Sequence, residues 1–97
     1  METMARVQRL NKGTHLRWEK PTALGVRYRE VDLRRDPWGE WLLAQTWGRR
    51  GTWLGQIRVA PCSSRAEGLA RIAAILKRRR QRRYRLVAGV DPGDGDT

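Results

Sequence analysis

The spacing of apolar residues changes after Pro61 in this 97-residue chain, from alternation to a recurrence every three or four residues. Up to Pro61, apolar and polar residues alternate in short runs, which is typical of half-buried strands. From Ser64 onward the spacing is that of an amphipathic helix. Several strands followed by one helix predict an α+β fold, in which a small antiparallel β-sheet carries one long α-helix packed on one face.

Turn residues separate four strand-like runs before the helix. The predicted strands cover residues 15–20, 26–34, 41–47 and 56–60, and a further strand-like segment covers 84–87. Pro61 is expected to end the fourth strand. Within the second strand the apolar phase changes between Tyr28 and Val31, which indicates either a bulge or a strand covered on both faces.

The segment from Ser64 to Glu67 has the form of a capping box, in which the serine oxygen accepts from the Glu67 N–H and the glutamate reaches back. It predicts a helix from 65 to 82. Gly68 costs this helix up to ~1 kcal/mol relative to alanine. The predicted apolar stripe consists of Ala66, Leu69, Ile72, Ala73 and Leu76.

Positive charge dominates the composition, with 21 basic and 10 acidic residues and a net charge of +11. Residues 91–97 contain three aspartates and no basic residue, so residues 1–90 carry +14. Eighteen of the basic residues are arginine, whose planar donor fork matches phosphate groups and guanine edges. A polyanion is the expected partner, and an anionic membrane is the competing one.

The length allows one domain at most. We predict a flexible N-terminal segment at 1–14, the domain at 15–88 and an acidic disordered tail at 89–97. The single cysteine, Cys62, excludes an internal disulfide and fits a reducing compartment. No run has the length of a membrane span or the character of a signal peptide. We therefore expect a cytoplasmic protein, associated with the nucleoid if it is bacterial.

A large aromatic residue and an arginine stand beside a glycine-rich loop at the end of the third strand, in the order Trp47-Gly48-Arg49. A flat ring can stack, a cation can bind phosphate, and Gly48 and Gly51 add little bulk, so the stretch suits nucleic acid. The alternative is that Trp47 belongs to the core and the glycines only turn a hairpin.

The predicted helix ends in a basic run, in which seven of the nine residues from 77 to 85 are basic. This exceeds what the helix macrodipole needs at its C-terminus. The run therefore indicates either a non-specific phosphate clamp or a solvated helix face.

The strand order, the Trp47-Gly48-Arg49 triplet, the Gly55-Gln56 spacing, the capped helix and Tyr84 after it together resemble the WGR domain. That family occurs in DNA-dependent poly(ADP-ribose) polymerases, beside some bacterial DNA ligases and as small bacterial proteins. The resemblance covers about residues 15–88. It implies an antiparallel sheet with one packed helix, and DNA binding.

In the polymerases the signature tryptophan stacks on the sugar or base at the 5′ terminus of a break, and the signature arginine contacts the nearby backbone. The resemblance places these roles on Trp47 and Arg49. The loop and strand that follow also line the DNA in that family, which implies weaker roles for Arg50 and Arg58. With the basic run included, the predicted DNA-binding residues are Trp47, Gly48, Arg49, Arg50, Arg58, Lys77, Arg78 and Arg80.

Catalytic chemistry has little support in the residues. His15 is the only histidine, Cys62 has no partner at metal-ligand spacing, and no phosphate-binding glycine loop of the nucleotide type is present. We predict no catalytic residues, metal, cofactor or small-molecule substrate. The expected function is a non-catalytic DNA-binding module that favours ends, nicks or exposed 5′ termini. The alternative is an adaptor domain for an acidic protein partner, with only non-specific affinity for DNA or RNA.

Overall fold

The computed structural model describes residues 14–53 and 55–89. These residues form five strands and one helix, in the chain order β1 (Thr14–Thr22), β2 (Gly25–Arg35), β3 (Trp41–Arg49), β4 (Gly55–Cys62), α1 (Arg65–Gln81) and β5 (Arg85–Ala88). The predictions for the N-terminal segment and the acidic tail lie outside the described residues, apart from Thr14, which begins β1, and Gly89, which follows β5. Across the described ranges, no helix combines the length and apolar character needed to span a membrane.

The strands form one antiparallel sheet in the order β4-β3-β2-β1-β5. The first four are a meander, and the chain then crosses one face as α1 before β5 adds to the free edge of β1. The predicted α+β class, with an antiparallel sheet and one helix, is confirmed. This connection also brings the C-terminal end of α1 back toward the middle of the sheet.

Strand β4 continues through Pro61 to Cys62, so the prediction that Pro61 ends it is wrong. Pro61 lies opposite Leu42, and Cys62 lies opposite Trp41. Proline is tolerated here because β4 is an edge strand, where one N–H in two has no neighbouring strand to bond.

The change of phase in β2 does not come from a bulge. The pairing of β2 with β1 and with β3 runs without a register shift along the strand. Val31 and Leu33 point toward the helix, whereas Val26 and Tyr28 lie on the opposite face. On that opposite face the Arg17 guanidinium covers the Tyr28 ring at 4.4 Å from its centroid. The second explanation, a strand covered on both faces, therefore fits β2 between Tyr28 and Leu33.

The core lies between α1 and the sheet face that it covers. Its buried side chains are Leu16, Trp18, Val31, Leu33, Leu43, Cys62, Ile72 and Leu76. On the helix, Ile72 and Leu76 are buried as predicted, but Ala66 and Ala73 are exposed. Gly68 and Arg79 take their places on the buried side. The true stripe is rotated because contact with the sheet, and not apolarity alone, selects the inward residues.

The helix begins with the predicted cap, in a slightly different arrangement. The Ser64 side chain accepts from the Glu67 N–H at 3.1 Å. The Glu67 carboxylate reaches back past Ser64 and accepts from the Ser63 N–H at 2.8 Å and from the Ser63 hydroxyl. These contacts satisfy two donors at the start of α1 and fix where it leaves the sheet.

Candidate nucleic-acid interface

A groove of about 630 Å³ opens at the end of the sheet where β3 and β4 run into their connecting loop. Three aromatic residues, three arginines and no carboxylate are among the described residues that line it. The lining consists of Arg27, Tyr28, Arg29, Trp47, Gly48, Arg49, Thr52, Gly55, Gln56 and Tyr84. We call it the Trp47 groove. Its volume suits a nucleotide-sized group.

Trp47 stands at the border between the core and this groove. It lies opposite Arg29 on β2 and Gln56 on β4, and Arg29 in turn lies opposite the buried Trp18 on β1. Residues paired in this way share one face of the sheet. The Arg29 guanidinium lies 5.7 Å from the Trp47 ring centroid. Trp47 is therefore half-buried, with part of its ring packed toward the helix and part facing the groove.

The next row of paired residues across the sheet is made entirely of cations. Lys20 lies opposite Arg27, and Arg27 lies opposite Arg49. Like charges placed directly opposite each other destabilise a sheet. We call these three residues the cation row. Its arrangement is unfavourable for the isolated domain and favourable for a bound polyanion.

Arg49 is positioned by the turn between β1 and β2. Gly25 in that turn has φ +124°, a backbone conformation that side chains rarely adopt, and a Cβ there would lie 3.3 Å from Arg49 Cδ. The stem of Arg49 thus passes over the surface of Gly25. Arg49 also lines the Trp47 groove.

Arg79 of α1 is a buried cation beside this site. Its side chain is 5% exposed, and its Nε is the one buried side-chain nitrogen or oxygen of the described residues without a hydrogen-bond partner. Burial and the charge of Arg29 lower the pKa of Arg79, yet the guanidinium remains charged at neutral pH. A buried charge without an anion is costly, so its presence calls for an explanation.

Tyr84 connects Arg79 to the cation row. The Tyr84 ring has the Arg79 guanidinium 4.8 Å from its centroid and the Lys20 ammonium 5.7 Å from it. Tyr84 itself lines the Trp47 groove. Strand β5 brings this ring to the site because β5 pairs with β1, on which Lys20 lies.

The carboxylates of the described residues lie elsewhere. Three of them project from the face of the sheet opposite α1 and are paired there: Glu19, Glu30 and Asp32. Asp36 and Glu40 belong to the turn between β2 and β3, and Glu67 lies in the first turn of α1. Both of these positions are at the opposite end of β3 from Trp47. The groove is therefore positive without internal neutralisation.

Arg50 and Arg58, both predicted to contact DNA, do not line the Trp47 groove. Arg50 donates to Glu19 at 3.0 Å on the opposite face of the sheet, where the two residues line a separate cavity. Arg58 is exposed on the helix-covered side of β4, opposite Gln45 and two residues from Gln56, so it lies next to the groove.

The predicted basic run of α1 is divided by the helix geometry. Arg78 lines a small cavity with Trp47 and Arg79, between the helix and the sheet. Lys77 and Arg80 are exposed and line neither the Trp47 groove nor the two smaller cavities described here. Only part of the run is thus brought to the candidate site.

Sequence reasoning did not select five residues that the structure places at this site: Lys20, Arg27, Arg29, Arg79 and Tyr84. Two signals could have found some of them. Arg27 and Arg29 share the strand parity of Val31, which points into the core. Arg79 follows Ile72 by seven residues and therefore falls on the buried side of the helix.

Comparisons of the chain with models of known protein families, with curated proteins and with solved structures found no match.

Proposed function

We propose that this chain is a non-catalytic DNA-binding module of the WGR type, which favours ends, nicks and exposed 5′ termini. The observation that carries the proposal is the cation row, Lys20, Arg27 and Arg49, beside the half-buried Trp47 in a groove without carboxylates. Like charges held in register are stabilised by a polyanion. The resemblance of the Trp47-Gly48-Arg49 triplet and its surroundings to the WGR domain supports the same function.

In the proposed mechanism, the cations supply affinity for DNA, and Trp47 supplies the preference for a strand terminus over intact duplex. The arginines and Lys20 bind phosphates, and each neutralised phosphate adds a salt-dependent contribution in which log K falls by about 0.9 per decade of salt. Trp47 stacks on the sugar or base at a strand terminus. Intact duplex offers no such free face within its stack, so the tryptophan favours a terminus.

An acidic protein is the alternative partner. The cation row would attract acidic side chains as well as phosphates, but such a partner needs no groove of about 630 Å³ walled by Trp47 and Tyr84. The two functions differ in one measurable respect, because only the first depends on the form of the DNA.

The test compares wild type with Trp47→Ala on a relaxed closed circle, the same circle with one nick, and a linear duplex of equal length. We expect wild type to prefer the nicked and linear forms. We expect Trp47→Ala to lose that preference, with affinity for the nick falling roughly 5- to 100-fold. Binding is measured at physiological salt, and circular dichroism checks that the variant is folded.

Two controls complete the design. Trp38→Ala removes an exposed tryptophan from the β2–β3 turn, at the opposite end of β3, and should bind all three DNAs as wild type does. Arg49→Gln keeps Trp47 and should weaken binding even where Trp47→Ala proves unstable. Equal binding of wild type to the three DNAs, unchanged by Trp47→Ala, would contradict the proposal and favour the protein partner.

A further inference from the structure

Trp53 is the most exposed of the large apolar side chains in the described residues, at 97%. The loop that carries it is nevertheless held in place. The Arg50 N–H donates to the Val26 carbonyl at 2.7 Å. The N–H and hydroxyl of Thr52, the residue before Trp53, both donate to the Arg49 carbonyl, at 3.2 and 2.8 Å. An anchored loop thus presents an indole ring to solvent, where its apolar surface gains nothing.

The position of Trp53 relates it to the Trp47 groove. Thr52 on one side of it and Gly55 two residues beyond it both line that groove. The Cα of Trp53 therefore lies within about 7 Å of the Cα of Gly55, which is the reach of two residues. Since Gly55 forms the last pair of β3 and β4, with Gly48, the Cα of Trp53 lies beyond the end of the sheet and close to residues that line the groove.

The chemistry of the loop tip favours a flat, uncharged ligand surface. Arg50, the loop's own cation, is paired with Glu19 on the opposite face of the sheet. Gly51 has φ +81° and open space around the position of a Cβ. The indole of Trp53 at the loop tip is thus open to solvent. A nucleobase is the matching surface in a nucleic-acid ligand, but bases inside a continuous duplex are covered on both faces by their neighbours.

We propose that Trp53 is a second stacking residue, which binds an unpaired nucleobase next to the strand terminus held in the Trp47 groove. The preferred ligand is then a gap or a single-stranded overhang, where a terminus and an unpaired base lie side by side. This inference rests on the proposed function, and it adds a specificity that Trp47 alone does not supply. Trp53 is a specificity-determining residue in this scheme.

The experiment compares two circles that differ only in one feature, a nick or a short single-stranded gap at the same place. Wild type should bind the gapped circle more tightly than the nicked one. Trp53→Ala should weaken binding to the gap roughly 5- to 100-fold and leave binding to the nick within about twofold. Trp53→Phe should retain most of the preference for the gap, and Trp53→Leu, which is apolar but cannot stack, should lose it.

Trp38→Ala is the matched control, because Trp38 is 86% exposed but lies in the turn at the opposite end of β3. It should bind both circles as wild type does. The inference is overturned if Trp53→Ala keeps the preference for the gap, or if Trp38→Ala loses it equally.

The two proposals fail in different ways. If wild type prefers the nick over the closed circle through Trp47, but Trp53→Ala equals wild type on the gap, only the role of Trp53 is overturned. If wild type binds closed, nicked and gapped circles equally, the proposed function fails and the role of Trp53 fails with it.

Discussion

Arg79 shows at the scale of one residue how a buried charge costs this domain stability. It occupies a helix position where the packing pattern calls for an apolar side chain, next to Ile75 and beneath Trp47. Its Nε is buried without a partner, and Arg29 repels it. On the proposed function, a phosphate of the bound DNA supplies the missing anion.

We therefore expect Arg79→Met to stabilise the free protein and to weaken DNA binding. Removing a buried, unpaired polar group should raise the free energy of unfolding by about 1–2 kcal/mol. Loss of the cation–π contact with Tyr84 should reduce this gain in the free energy of unfolding by about 0.5–1 kcal/mol. Urea denaturation measures the first effect. Binding at several salt concentrations measures the second, and the slope of log K against log salt should become shallower by about 0.9.

The control for this prediction is Arg34→Met, on the opposite face of the sheet, where Arg34 is paired with Asp32. It should not alter the salt slope. If Arg79→Met destabilised the protein and left DNA binding unchanged, Arg79 would be a structural cation that the fold itself requires.

At the scale of elements, the contact between α1 and β2 depends on a glycine. A Cβ at Gly68 would lie 2.8 Å from Leu33 Cδ2 and closer still to Cδ1. Leu33 is fully buried, so neighbouring atoms restrict the movement of its side chain. The helix thus lies closer to the sheet than any residue with a side chain would allow, and the cost of glycine in a helix is offset by packing.

Gly68→Ala should consequently lower the free energy of unfolding, although alanine is the better helix former. Overpacking costs about 1–3 kcal/mol, and the gain in helix propensity is ~1 kcal/mol, so we expect a net loss of up to about 2 kcal/mol. Ala70→Gly, at an exposed position of the same helix, should also lose ~1 kcal/mol, from propensity alone. Thermal or urea unfolding of both variants checks this. A more stable Gly68→Ala would show that the helix can move away from Leu33.

These elements also show what the sequence could and could not supply. Alternation predicted the strands, and the capping box predicted the start of α1. The buried stripe differs from the predicted one because apolarity alone places Ala66 and Ala73 inward, whereas Gly68 lies inward on account of its size. Helix contact with a sheet depends on shape, which a hydrophobic pattern does not encode.

The candidate site divides in the same way. Trp47, Gly48 and Arg49 are adjacent in the chain, so the motif itself brings them together. Tyr84 lies near these three residues only because β5 pairs with β1. Arg50 follows them directly in the chain but is held away from the groove by an ion pair with Glu19, 31 residues away. Such long-range pairings determine which cations lie close together, and they cannot be predicted from the local sequence pattern.

At the scale of the whole molecule, the two faces of the sheet have different electrostatics. On the face opposite α1, Glu30 accepts from His15 at 3.0 Å and from Arg17, and Glu19 joins Arg17 to Arg50. Burial alone would raise the pKa of Glu30, but the hydrogen bonds from His15 and Arg17 outweigh it and lower that pKa below its usual value. This network binds protons less readily when it is folded.

The sign of the pH effect follows from that direction. A carboxylate with a depressed pKa in the folded state stabilises the protein above the pKa of the unfolded chain, and this stability is lost as the pH falls through the folded value. We expect the free energy of unfolding to decline as the pH drops below about 4.5. Urea titrations at a series of pH values measure the decline.

Glu30→Gln tests which group is responsible. The variant should be less stable than wild type near neutral pH and should show a weaker decline below about 4.5. Some decline should persist, because hydrogen bonds from Ser63 lower the pKa of Glu67 as well. An identical pH dependence in wild type and variant would exclude Glu30 as a source of acid sensitivity.

The separation of the carboxylates from the Trp47 groove has a further consequence, for how the molecule meets its partner. Among the described residues, three carboxylates are paired on the face opposite α1 and none lines the Trp47 groove, so the groove keeps its positive charge. A polyanion attracts this positive groove before any contact is made, and the attraction turns the groove toward the polyanion. Collisions in the productive orientation are thus enriched, and the association rate falls as salt screens the field. On the proposed function, the ion pairs on the opposite face raise the association rate, because they hold carboxylates away from the groove.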